Sequence, residues 1–181
     1  PAQSDYQQEL ARTLYNRGIL HWTIMLRSKT ATSGALESSA AEADFREAIK
    51  LLEPLARNSS AHVPSLELAR AYNNLATVLA DDDTRLAEAR TFSEAAIRHD
   101  EALTKADPAN REYKLELAKY CDNSSDLLRR LGYDELALAR SRQALDLLDT
   151  LALPAPSLAL EQADAHTLRG QPLPPVDETG R

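Results

Sequence analysis

A four-residue word returns three times along this chain. Glu9-Leu10-Ala11-Arg12 leads to Asn16, Glu67-Leu68-Ala69-Arg70 to Asn74, and Glu116-Leu117-Ala118-Lys119 to Asn123, each Asn seven residues after its Glu. A second word alternates with the first: Ala41, Ala89 and Ala137 are each followed seven residues later by Ala48, Ala96 and Ala144, with Ile49, Ile97 and Leu145 beside them. Seven residues are two helical turns, so both words lie along single helix faces. Repetition of this kind constrains a fold strongly. Each unit leaves an apolar face that only another copy of the unit covers, so the units must stack.

The spacing assigns the elements. Helices are expected at about residues 4–28, 40–57, 65–80, 84–106, 109–131 and 134–151. They group into repeats at about 4–60, 64–107 and 109–152. Successive second words are 48 residues apart both times, whereas Asn16 lies 25 residues before Ala41 and Asn74 only 15 before Ala89. The first turn therefore carries about ten extra residues, and the Ser/Thr/Gly composition of 29–39 marks them as a loop. That loop either lies over the ligand-facing side or is a tolerated surface insertion. Pro64, Pro108 and Pro154 fall at helix boundaries, Pro54 predicts a kink or an early end, and Gly132 is a C-cap candidate. Pro156-Ser157-Leu158 repeats Pro64-Ser65-Leu66, so 157–169 is expected to be a half-repeat capping helix. Residues 170–181, with three prolines and no periodicity, read as a Pro-rich flexible tail.

Composition narrows the class. The chain has 181 residues, 43% of them hydrophobic and 27% charged, which suits one helical domain with a tail. Five Gly in the whole chain speak against a glycine-rich phosphate loop or a turn-dense β fold. A net charge of −7 argues against sequence-independent nucleic-acid binding. One cysteine, Cys121, excludes an internal disulfide and a cysteine metal cage. No apolar run approaches the roughly 20 residues of a membrane span. The chain opens on Pro1 rather than Met, which points to a piece of something larger and leaves the compartment open. The fold class is all-α: three antiparallel helix pairs, held close where the alanines let backbones approach and filled in by Phe45, Ile49, Ile97 and Leu145.

Asn73-Asn74-Leu75-Ala76, Leu86-Ala87-Glu88-Ala89 and Glu94-Ala95-Ala96-Ile97 together resemble a tetratricopeptide repeat. The closest type is the long repeat of kinesin light chains and of bacterial multi-repeat signalling proteins, including regions attached to serine/threonine kinases. The resemblance covers about residues 6–150 and is strongest in the second repeat. It implies a right-handed α-solenoid that binds a peptide or protein segment in a concave groove lined by the first helix of each pair. Three features depart from that pattern. The pitch of 48 exceeds the usual length of about 34, Arg17 and Ser124 stand where the second repeat has Leu75, and Leu14 and Cys121 stand where it has Tyr72.

Projecting the repeats onto that groove gives four rungs: Arg12, Arg70 and Lys119; Tyr15, Asn73 and Asp122; Ile19, Thr77 and Asp126; Trp22, Ala80 and Arg129. A row of cations can pair with ligand carboxylates, Asn73 can donate and accept at once, and Tyr15 and Trp22 offer aromatic anchors. Blander readings stand beside these. Each basic residue of the first rung follows a Glu by three positions and can make a helix-surface ion pair worth a few tenths of a kcal/mol. Asn16, Asn74 and Asn123 can brace neighbouring helices, Trp22 can be partly buried, and Cys121 can be a small apolar contact. The four histidines lack ligand spacing, and no nucleophile, phosphate-loop or metal motif is present. The expected function is a non-enzymatic protein-interaction module without cofactor or metal, binding a protein or peptide partner. The alternative is a structural spacer that self-associates through its end faces.

Overall fold

A computed structural model describes residues 3–28, 30–58 and 62–152. They form six α-helices and one short 3₁₀ turn: α1 Gln3–Arg27, α2 Ala31–Asn58, α3 His62–Ala80, the turn Asp83–Arg85, α4 Leu86–Ala106, α5 Arg111–Arg130 and α6 Asp134–Ala152. Among the described residues there is no strand, so the all-α expectation holds. No described helix is long and apolar enough to cross a membrane. The expected capping helix 157–169 and tail 170–181 lie outside the described residues.

Each helix packs on its neighbours in sequence, most extensively within the pairs α1–α2, α3–α4 and α5–α6. Beyond these, α1 reaches α3 and α3 reaches α5, whereas α2 and α4, or α4 and α6, make no backbone approach. The even-numbered helices meet only through long side chains. Arg46 of α2 donates to Glu88 of α4, Glu101 of α4 takes a hydrogen bond from Gln143 of α6 at 3.0 Å, and Arg85 of the 3₁₀ turn grips Glu42 of α2 with two hydrogen bonds at 2.6 and 2.8 Å.

All six repeat alanines are buried. Close approach is most literal at Gly18, where a Cβ would meet the buried ring of Phe45 at 2.8 Å. The helix ends follow local chemistry. Asn110 caps α5 by accepting from the N–H groups of Glu112 and Tyr113. Gly132, at φ +80°, ends α5 as expected: its N–H reaches the carbonyl of Arg129, and the N–H of Tyr133 reaches that of Leu128, closing a Schellman motif.

Three sequence expectations need correction. Residues 31–39 are not a loop, because α2 already begins at Ala31. Thr30 supplies the cap, its Oγ1 accepting from the Ser33 N–H, and Ala31, Ala35, Leu36, Glu37 and Ala40 are strong helix formers. The extra turns pack along the end of α1, where Glu37 meets His21 at 2.6 Å. Of the two outcomes expected at Pro54, the early end does not occur, since α2 runs through it to Asn58. Leu145 fills no interhelical gap; it is 60% exposed, because no described element covers that side of α6.

Candidate functional site

The Glu-Leu-Ala-basic words turn out to be clasps between pairs. Arg12 of α1 reaches forward to Glu67 of α3, its Nε and Nη2 donating to Oε1 at 2.9 and 2.7 Å, while Gln8 donates to Oε2 at 2.9 Å. Arg70 of α3 repeats the gesture onto α5, donating to Glu116 at 3.1 Å and to Glu112 at 2.7 Å. The Glu of each later word thus receives the Arg of the word before it. Arg12 also keeps its same-helix partner Glu9 at 2.7 Å. Among the described residues Lys119 has no later word to meet and lies 3.9 Å from Glu116.

The second rung is engaged in the same way. Tyr15 Oη accepts from Asn74 Nδ2 at 2.9 Å, and its ring lies 5.8 Å from that of Phe45. Burial pushes its phenol above the usual range, so it accepts as a neutral group. Asn73 is buried and its amide is committed on both ends: Nδ2 donates to Asn74 at 3.3 Å and Oδ1 accepts from Asn123 at 3.1 Å. Its expected readiness for a peptide backbone is therefore already taken up inside the protein. Asn74 and Asn123 do brace neighbouring helices. Trp22 is half-buried against the core with its indole N–H enclosed and unpartnered, and Arg129 makes a surface ion pair with Asp126 at 2.6 Å.

Members of three of the projected rungs line one concavity, and the third rung alone brings two of its residues, Thr77 and Asp126, together there. A cavity of about 200 Å³ opens between α3, α4 and α5, with Asn73, Thr77, Asn123, Asp126 and Arg130 among its lining. A smaller space of about 190 Å³ lies between α1, α2 and α3 around Arg12, Tyr15 and Arg70. Asp122 and Lys119 fall elsewhere, in an open trough between α5 and α6. The first cavity holds hydroxyl, amide, carboxylate and guanidinium groups together, a set that can bind the backbone and side chains of an extended segment. Among the described residues, no three His, Cys, Asp or Glu side chains are placed to hold a metal ion.

Sequence reasoning missed Arg130 in this cavity and Glu67, Glu112 and Glu116 in the clasps. The recurring Glu was visible; its partner one repeat earlier required the offset between helices. It also missed Asp100. This side chain on α4 is fully buried, and neither carboxylate oxygen has a hydrogen-bond partner. Thr104 on the same helix, and Glu116 and Tyr120 on α5, likewise carry buried oxygens without a hydrogen-bond partner.

No family model matches the sequence, and no curated protein or solved structure matches it.

Proposed function

We propose that this chain is a tetratricopeptide-like right-handed α-solenoid whose concave side binds a segment of a protein partner, without enzymatic activity. The asymmetry of the helix contacts supports the shape. Odd-numbered helices approach one another across the pairs, while even-numbered ones touch only through long side chains. An array closer-packed on one edge curves toward that edge, so α1, α3 and α5 line the inner side. The repeat words of the sequence, and the kinship they suggest with interaction modules of larger signalling proteins, agree with this arrangement.

The observation that carries the functional reading is the polar cavity between α3 and α5. It lies on the inner edge, it is open, and its amide and charged groups answer the two faces of a peptide bond and an ionic side chain. Thr77, Asn123, Asp126 and Arg130 are the contact residues of this reading, with Arg12 and Arg70 holding the groove's curvature by their clasps. The test is selection of binders from a random peptide display library on the full chain. A recurrent peptide motif is expected, with affinity weakened at least tenfold by Asp126→Arg and unchanged by Lys50→Glu on α2. Failure to enrich any motif, or undiminished binding to the Asp126→Arg chain, would reject the groove.

A further inference from the structure

The trough between α5 and α6 is an exposed, mostly apolar feature at the end of the described array. It is open, about 480 Å³, and Leu115, Lys119, Asp122, Ala144, Leu145 and Leu148 are among its lining. The repeat register explains why it exists. Shifted back by one repeat, Lys119 and Asp122 become Arg70 and Asn73, and Ala144 and Leu145 become Ala96 and Ile97. Those residues are the seat of α5: Arg70 grips Glu116, Asn73 accepts from Asn123, and Ala96 and Ile97 are buried. One repeat earlier still, Arg12, Tyr15, Ala48 and Ile49 form the seat of α3, through Glu67 and Asn74. The trough is thus a third seat with the same plan and no described occupant.

The other end of the chain carries the matching piece. The residues by which α3 and α5 enter their seats have equivalents on α1: Glu67 and Glu116 correspond to Glu9, Asn74 and Asn123 to Asn16, and Tyr113 to Tyr6. Tyr113 is 8% exposed and packs over Leu66 and Leu103. Tyr6 is 67% exposed, and the equivalents of Leu66 and Leu103 are Leu115, in the lining of the trough, and Leu151. Glu9 and Asn16 are exposed as well.

We propose that these two ends are the halves of one interface, and that copies of this chain join head to tail with α1 of one copy seated in the α5–α6 trough of the next. In that contact Lys119 meets Glu9 of the second copy as Arg70 meets Glu116 within the chain. Asp122 accepts from the Asn16 amide, and Tyr6 covers Leu115. The two surfaces are different, so the contact is heterologous and propagates beyond a dimer instead of closing on itself.

Sedimentation of the full chain from about 5 to 500 µM tests this. The expected result is a mass that rises with concentration past that of a dimer. Tyr6→Glu and Leu145→Glu each change a well-exposed side chain. Each alone is expected to weaken association at least tenfold, while their equimolar mixture forms dimers and nothing larger, since one intact half remains on each chain. Lys119→Glu and Glu9→Lys supply a second measure: each alone associates more weakly, and the mixture of the two recovers. A chain that stays monomeric at the highest concentration overturns the proposal, whether residues beyond 152 or solvent fills the trough. A mass that saturates at two copies, or mixtures that fail to recover, overturns it equally.

Discussion

Asp100 sets a pH dependence into the centre of the molecule. Its carboxyl is enclosed by α4 and α5, and burial, reinforced by the charge of Glu116, pushes it up to about 7 against the pull of Arg70. Glu112 adds a smaller push in the same direction, and the neighbouring Tyr120 phenol is held neutral, chiefly by burial. An unfolded aspartate titrates near 3.9, so the folded chain holds this proton more tightly than the unfolded one. The resulting stability is fully present below about pH 4 and is lost as pH rises to about 7, where the folded state must carry a buried carboxylate. Asp100→Asn keeps the shape and removes the charge. The melting temperature of that variant is expected to exceed the parent's at about pH 8 and to match it near pH 4; equal slopes against pH in the two proteins would refute this account. Nothing in the sequence announced the group, because a lone Asp on a helix normally faces water. Only the antiparallel register of α4 and α5 encloses it.

Helix boundaries were mostly legible, and the reasons are local. Pro108 and Gly132 stand in the turns that flank α5, and the alanine word placed α2, α4 and α6 on their partners. The 29–39 segment was misread because Ser, Thr and Gly there resemble loop composition. The alanines and Glu37 among them favour helix, and α1 is long enough to give those turns a surface to pack on. The clasps were half legible. Same-helix spacing showed Glu9 beside Arg12, but Glu67 lies on the next odd-numbered helix, and only the hairpin offset brings it within 2.7 Å. Tight pairing within the hairpins rests on the small residues. Ala96 is completely buried on α4, so Ala96→Trp forces two backbones apart at an overpacking cost of about 3 kcal/mol. For a chain of this size that is a fall of roughly 6–12 °C in Tm, read by calorimetry. An unchanged Tm would mean that α4 does not pack along its alanine stripe.

At the scale of the whole molecule, repetition in sequence becomes repetition in contact. Each pair presents a small-residue seat and a forward-reaching base, and the next pair enters with a tyrosine or asparagine and a glutamate. The local word was readable in one dimension, whereas the open trough and the polar cavity emerge only when three copies are superposed in space. The inner side exists only if the array stays open, with α1 and α5 on either side of α3. Spin labels at Thr13→Cys on α1 and Asp122→Cys on α5, in a Cys121→Ala background and diluted in an excess of unlabelled chain so that contacts between copies do not contribute, measure that separation by electron–electron double resonance. Two interaxial steps of 8–10 Å predict a distance of about 18 Å or more. A distance near 10 Å would place α1 directly against α5 in a closed bundle and contradict the open array.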